Sequence, residues 1–310
     1  MARLRALAAN PGPVLFIGMG ASFCSSLSGS TLLQSMGRPS FSLDAGEWLH
    51  YGPAVWSDAS LSVLLTASGE SAEIVELLRQ LGERPAGLIC NNAASTCWRL
   101  AKEKLPVLAG PEYGNATKTY TNATAAAIIL ASEILARKWQ KAAEQAADIF
   151  SSSLDRVFAM RTDLEAFCRG AANIEIVGRG AAYGAAIMSA LCIREITGHR
   201  AAAHTGAGFR HGPNLDVDRT HVAIILALGR VASLGVSLAQ ECNRRGGKAV
   251  LISADEHQPT ELLLPVTIAD VEEPWEAITA LLVPQALTLA VAERDGCRLP
   301  PRLQYGVMQQ

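Results

Sequence analysis

The feature that most constrains this chain is a pattern that occurs twice. A short apolar segment runs into a glycine turn at residues 14–22 (VLFIGMGAS), and another does so at residues 174–182 (IEIVGRGAA). Each turn leads into a run of small residues that predicts a helix, which ends near Gly37 in the first copy and near Gly198 in the second. A strand, a glycine turn and a helix that recur in this way predict a duplicated α/β unit.

Further apolar segments alternate with helical patterns in both halves. The predicted strands are residues 62–66, 87–90 and 107–109, then 222–228, 249–253 and 265–268. The predicted helices are residues 72–81 and 231–245, a joining region from about 117 to 169, and a long C-terminal helix over 274–295. Strands that alternate with helices predict parallel sheets covered by helices on both faces.

The size and composition of the chain suit two such units. It has 310 residues, whereas one domain typically takes about 150. Its residues are 49% apolar and only 18% charged, which is enough apolar material for buried parallel strands. We therefore predict one domain over residues 1–150 and a second over 151–310.

Charge and hydrophobicity argue against several classes of protein. The net charge is −2 without a basic run, so a nucleic-acid partner is not expected. The N-terminus lacks a continuous apolar segment, and apolar runs such as residues 125–130 are too short to span a bilayer. The seven cysteines form no Cys-x-x-Cys pair, so neither disulfides nor a metal site is expected. These observations predict a cytoplasmic protein without a membrane partner.

Two loops of the first half have the composition of an anion site: the glycine turn at residues 18–22 and a hydroxyl-rich loop at residues 66–71. In open α/β sheets, ligands bind beyond the carboxyl ends of the strands, where glycines and helix N-termini expose backbone N–H groups. Hydroxyl groups add donors for a phosphate without adding charge. An ordinary helix cap at Ser68 or Ser71 explains the second loop equally well. The candidate phosphate-binding residues are Gly20, Ser22, Thr66, Ala67, Ser68 and Ser71.

A dinucleotide site is a weaker alternative for the same turn. Gly18 and Gly20 follow a strand, and Asp44 lies about where a ribose-binding acid is expected. The third glycine of that fingerprint is replaced by Phe23, and the second copy has no acid at the equivalent distance. No cofactor is therefore predicted.

Two residues of the second half are candidates for proton transfer. Glu195 lies near a predicted helix C-terminus, within an apolar stripe that includes Leu191 and Ile196. His211 lies in a loop ahead of Gly212 and Pro213, where its imidazole could move a proton on a sugar hydroxyl or ring oxygen. A paired glutamate at a helix end and a structural histidine are the alternatives.

Together these motifs resemble those of double SIS (sugar isomerase) domain proteins, which include the isomerase half of glucosamine-6-phosphate synthase, amino-sugar-phosphate deaminases and fructosamine-6-phosphate deglycases. The resemblance runs from residue 14 to about 303 and implies two tandem flavodoxin-like domains. It rests on residues 18–22, 68–71, 110–112, 116–118, 178–180, 194–196 and 209–213.

The resemblance also implies roles. Ser22, Thr66, Ser68 and Ser71 correspond to the phosphate-binding set of the family. Glu195 corresponds to the base that moves a proton between C1 and C2 of an open-chain sugar. His211 corresponds to the group that assists ring opening, which in the family commonly comes from the partner subunit, so a homodimer is expected.

The chain departs from the family at several positions. The tail at residues 300–308 has no lysine for a Schiff base, and no N-terminal glutaminase domain is expected. Cys192 replaces a lysine, Gly208 an acid and Ala67 a glutamine of the family pattern.

The leading hypothesis is an enzyme that acts at C1 and C2 of an amino-sugar or fructosamine 6-phosphate, with isomerisation coupled to release of an amine or ammonia. A sensor that binds a sugar phosphate without catalysis is the alternative, and a glutamine-independent aminotransferase is a weaker one.

Overall fold

The computed structural model describes residues 12–52 and 60–297. The chain divides into two compact units between Trp139 and Gln140. The domain boundary predicted at residues 150 and 151 falls inside a helix, Gln140–Ala159, that this division assigns to the second unit. The tail at 300–308, on which the missing lysine was noted, lies outside the described residues.

The first unit is a five-stranded parallel sheet with helices between the strands. Its strands are β1 (Val14–Gly18), β2 (Ser40–Asp44), β3 (Leu61–Thr66), β4 (Ala86–Cys90) and β5 (Lys104–Pro106), in the order β2-β1-β3-β4-β5. Its helices are α1 (Ala21–Ser35), α2 (Ala45–Tyr51), α3 (Ala72–Leu81), α4 (Thr96–Leu100) and α5 (Lys118–Ile134). Every residue of β1 and β3 is buried, as a central strand covered on both faces requires.

The second unit repeats this architecture after two helices, α6 (Gln140–Ala159) and α7 (Arg161–Cys168). Its strands are β6 (Asn173–Gly178), β7 (Ala201–Thr205), β8 (His221–Ala227), β9 (Lys248–Ser253) and β10 (Leu263–Thr267). Its helices are α8 (Ala182–Thr197), α9 (Gly206–Arg210), α10 (Ala232–Arg244), α11 (Glu276–Thr279) and α12 (Leu282–Arg294). The order β10-β9-β8-β6-β7 is that of the first sheet read from its other edge, which confirms two tandem flavodoxin-like domains.

One predicted strand was placed wrongly, and one predicted helix is interrupted in the structure. The strand predicted over residues 107–109 lies instead at Lys104–Pro106, because Leu108 has a φ of 59° that an extended strand cannot contain. The predicted C-terminal helix is divided into α11 and α12, because Pro284 has no N–H to donate to the carbonyl four residues earlier.

Among the described residues, the stretch Glu276–Arg294 has the length and apolar composition of a membrane span, yet 83% of its most apolar window is buried inside the protein. A core helix of a folded domain passes the same test. Here the stretch packs against α6, α7 and α8.

The strand order determines where a ligand can approach each sheet. The chain leaves β1 towards β2 on one side, whereas β3 pairs with β1 on the other side, so a crevice opens between the carboxyl ends of β1 and β3. Helix α5 lies close to this crevice because Gly29 of α1 lets the two helices touch. A Cβ atom at Gly29 would lie 2.7 Å from the carbonyl oxygen of Ala127.

Candidate functional site

The glycine turn after β1 is shaped by two glycines with different roles. Gly18 permits close packing, since a Cβ atom there would lie 2.8 Å from the carbonyl carbon of Ser22. Gly20 has a φ of 52° and immediately precedes α1. As a result Ser22 lies in the first turn of α1, at the mouth of the crevice.

In the hydroxyl-rich loop after β3, the serine side chains do not cap the helix that follows, α3. Thr66 is almost fully buried, and its Oγ1 accepts a hydrogen bond from Gly69 N–H at 3.1 Å. The Thr66 and Ser71 hydroxyl oxygens lie 3.4 Å apart. Ser71 is the N-cap residue of α3 but makes no side-chain cap hydrogen bond, and Ser68 accepts from Glu70 N–H at 3.2 Å. Neither serine therefore caps α3 through its side chain.

The same loop is anchored on its other side to α4. Gly69, with a φ of 69°, accepts a hydrogen bond from Cys97 N–H at 3.0 Å and packs directly on Ser95. Glu70 accepts from Thr96 N–H at 2.9 Å, and this hydrogen bond lowers the pKa of the Glu70 carboxyl. These contacts with residues 95–97 hold the backbone of the loop in place.

A pocket lies between the glycine turn, the hydroxyl loop and the start of α5. Three predicted residues line it together: Ser22, Thr66 and Ala67. The other three predicted residues, Gly20, Ser68 and Ser71, do not line this pocket. The full lining is Ala21, Ser22, Ser25, Thr66, Ala67, Ile89, Val107, Thr119, Tyr120 and Ala123.

Three polar residues of this pocket were not predicted from the sequence: Ser25 of α1, and Thr119 and Tyr120 of α5. The start of α5 is held by Glu112, which accepts hydrogen bonds from the N–H and hydroxyl groups of both Thr117 and Thr119 and from Lys118 N–H. Burial alone would raise the pKa of Glu112, but these hydrogen bonds outweigh it and lower the pKa. A carboxylate preceding a threonine-rich helix start was the available signal.

Asp44, the acid considered for a dinucleotide ribose, has another role. Its Oδ1 accepts hydrogen bonds from Gly46 N–H at 2.9 Å and Glu47 N–H at 3.1 Å, so it caps α2. Capping of α2 therefore explains why an aspartate lies at the end of β2.

Glu195 lies in the last turn of α8, half-buried, in the second unit. Gly198 ends the helix with a φ of 72°, as predicted. One turn before Glu195, Cys192 is buried, with 2% of its surface exposed. A buried thiol therefore occupies the position at which the resemblance to the family implies a lysine.

His211 follows α9 and is exposed, at the start of a loop whose flanks are held in place. Glu241 of α10 accepts from Arg210 Nε at 3.0 Å and from Asn214 Nδ2 at 2.7 Å. Gly208 donates its N–H to the Thr205 hydroxyl at 3.0 Å, which caps α9. One carboxylate thus holds both sides of the His211 loop and leaves the imidazole facing solvent.

A buried acid outside these candidate sites gives a prediction on stability. Glu276 of α11 is 5% exposed, and its Oε2 atom has no hydrogen-bond partner among the described residues. Burial raises its pKa to about 8, helped by the nearby Glu273 and Asp270 and opposed by Arg230. Because the folded pKa is raised, the folded state holds a proton that the unfolded chain has lost, and stability falls as pH rises.

Between pH 5 and pH 8 we expect Glu276 to remove on the order of 3 kcal/mol of unfolding free energy. Urea unfolding of wild type and of Glu276→Gln at both pH values measures this, because the amide does not titrate. Parallel losses in the two proteins would show that Glu276 does not titrate in this range.

Within residues 12–52 and 60–297 no group of three or more His, Cys, Asp or Glu side chains could hold a metal ion. The seven cysteines are free thiols, six of them buried.

Comparison with known proteins agrees with this architecture. A family profile described as the SIS domain matches residues 9–132 and again residues 169–292. Among curated proteins, the chain is 28% identical over 256 residues to glutamine–fructose-6-phosphate aminotransferase of Zymomonas mobilis, covering 78% of this chain and 42% of that protein. The same enzyme of Bartonella henselae is 31% identical over 256 residues, covering 77% of this chain and 42% of that protein. The chain thus spans about two fifths of the length of these relatives.

Solved structures share the fold. The C-terminal domain of glucosamine-fructose-6-phosphate aminotransferase from Francisella tularensis matches with a TM-score of 0.84 and 24% identity, over 96% of this chain and 88% of that one. Glucosamine-6-phosphate deaminase from Thermotoga maritima matches with a TM-score of 0.77 and 17% identity, over 99% and 95%. The repeated strand order and the two profile matches together place this chain in the SIS domain family, as a member with two copies of the domain.

Proposed function

We propose that this protein is an enzyme that acts at C1 and C2 of an amino-sugar or fructosamine 6-phosphate, by aldose–ketose isomerisation with release of ammonia or an amine. The observation that carries the proposal is the pocket in the crevice between the carboxyl ends of β1 and β3. Ser22, at the start of α1, and Thr66 line this pocket. The Thr66 hydroxyl lies 3.4 Å from that of Ser71, which does not cap α3 through its side chain. Uncharged donors of this kind suit a phosphate beyond the carboxyl ends of parallel strands.

In the proposed reaction, the pocket holds the 6-phosphate and His211 moves a proton that opens the sugar ring. Glu195 then takes the proton from C2 of an aldosamine and returns it to C1, which leaves an imine at C2. Water hydrolyses the imine to a ketose and ammonia. For a fructosamine the proton moves from C1 to C2, and hydrolysis at C1 releases the amine.

Three properties complete the proposal. The exposed position of His211 supports its contribution to the site of a partner subunit in a homodimer. Seven free thiols suit a reducing compartment, which supports a cytoplasmic location. The relatives described above carry names of enzymes that act on sugar phosphates.

Two observations favour the non-catalytic sensor. Cys192 puts a buried thiol where the resemblance to the family implies a lysine near the base, and Gly208 provides no acid beside the His211 loop. A sensor would retain the phosphate pocket and lose the chemistry.

The test is incubation of the whole chain with glucosamine 6-phosphate, fructose 6-phosphate and a fructosamine 6-phosphate, with assays for ammonia, amine and ketose. We expect product from an amino sugar only when it is phosphorylated, and thermal stabilisation by the same compounds. Free glucosamine is the matched control.

Stabilisation without product would reject the enzyme and support the sensor. Formation of glucosamine 6-phosphate from fructose 6-phosphate and ammonia would instead support the glutamine-independent aminotransferase. No effect of any phosphorylated sugar would reject the pocket assignment itself.

A further inference from the structure

The crevice of the second sheet is chemically unlike that of the first. Where the first turn has Met19, the turn after β6 has Arg179. The loop after β8, residues 228–231 (LGRV), has no hydroxyl side chain, whereas the loop after β3, residues 67–71, has two, Ser68 and Ser71. The duplicated position therefore offers arginines and apolar side chains in place of hydroxyl groups.

Two of the three arginines near this crevice are neutralised by carboxylates. Arg210 donates to Glu241 at 3.0 Å, and Arg230 forms an ion pair with Glu273, which also accepts Arg230 N–H at 2.6 Å. Arg179 differs, since across the described residues its guanidinium contacts no carboxylate or other hydrogen-bond acceptor. Burial lowers the pKa of Arg179, and the nearby Arg210 lowers it further.

The position of this guanidinium is determined by packing. Gly206, the first residue of α9, lies directly against it, and a Cβ atom at Gly206 would lie 2.3 Å from the Arg179 Cζ, Nε and Nη2 atoms. Arg179 also lines a pocket whose other walls are apolar, among them Leu228, Val231 and Leu238. A partly buried cation thus faces an apolar pocket without a counter-charge from its own unit.

We propose that the second unit binds a small organic acid, whose carboxylate pairs with Arg179 while a short apolar group contacts Leu228 and Val231. The planar fork of a guanidinium donates two parallel hydrogen bonds to a carboxylate. One unpaired cation balances one carboxylate charge, whereas a phosphate carries more charge and needs donors that this loop does not have. The site lies in the second unit and does not depend on the proposed sugar-phosphate chemistry.

The test is calorimetric titration of the whole chain with isobutyrate, acetate and inorganic phosphate at constant ionic strength, because salt screens exposed charges. We expect saturable binding of isobutyrate, tighter than that of acetate. Arg179→Met, which restores the residue of the first copy, should weaken isobutyrate binding by at least about 10-fold. Thr66→Val should leave it unchanged and affect only phosphate.

The folding of the variant is checked separately. Arg179→Met removes a partly buried cation that has no partner, so its melting temperature should equal or exceed that of wild type. Arg179→Lys keeps the charge without the planar fork and should bind isobutyrate with intermediate affinity. The proposal is overturned by absence of saturable isobutyrate binding, by equal binding in Arg179→Met, or by tighter Arg179-dependent binding of phosphate than of isobutyrate.

Discussion

Replacement of Glu195 by glutamine should lower the turnover of the proposed amino-sugar phosphate by about 10²–10⁴-fold, which is the usual contribution of a positioned general base. Glutamine keeps the size of the side chain and loses the ability to accept the carbon-bound proton. Because the pocket of the first unit is unchanged, the apparent affinity for the sugar phosphate should stay close to that of wild type. The measurements are steady-state kinetics on the phosphorylated substrate and thermal stabilisation by the same compound.

A surface glutamate provides the control for this experiment. Glu144 of α6 is exposed, and Glu144→Gln makes the same chemical change away from both candidate sites. It should leave turnover within error of wild type. Full activity in Glu195→Gln would reject Glu195 as the base, and a joint loss of ligand stabilisation would show that its role is structural.

Gly69→Ala should have the largest effect on the first unit. The residue has a φ of 69°, and a Cβ atom would lie 2.0 Å from Ser95 Oγ and 2.4 Å from Ser95 Cβ. Ser95 cannot rotate away without loss, since its hydroxyl donates to Asn92 O at 2.7 Å and accepts from Trp98 N–H at 3.2 Å. The loop must therefore shift, and the Thr66 and Ser71 hydroxyls shift with it.

We expect Gly69→Ala to lose about 4 kcal/mol or more of unfolding free energy, which belongs to the exceptional class of single substitutions. Sugar-phosphate affinity should fall by at least about 10-fold, since a misplaced donor leaves a charged group without its hydrogen bond. Urea unfolding and calorimetric titration with the sugar phosphate measure the two effects.

Gly37→Ala separates backbone strain from steric overlap. Gly37 ends α1 with a φ of 78°, and a Cβ atom there would meet nothing within 4 Å. Gly37→Ala should lower the unfolding free energy by only about 1–3 kcal/mol, the strain of a left-handed residue that has a side chain. Ligand affinity should stay unchanged. Equal losses of unfolding free energy in Gly69→Ala and Gly37→Ala would mean that contact with Ser95 does not hold the loop.

Much of the fold was accessible from the sequence because central parallel strands leave a local signature. The segments around Val14–Gly18 and His221–Ala227 are buried on both faces, so they read as continuous apolar runs. The edge strands Ser40–Asp44 and Ala201–Thr205 were not predicted, since each is only partly buried and mixes small and polar residues.

For the site, the local order of residues identified the glycine turn and the hydroxyl-rich loop of the first copy. The sequence also determined that Arg179 follows β6, the strand of the second copy that corresponds to β1. What only the tertiary structure decided is how those groups are used. Ser71 does not cap its helix, and Thr119 reaches the pocket from a distant helix. These facts depend on distances between segments far apart in the chain, whereas a sequence pattern reports only on neighbours along one strand or helix.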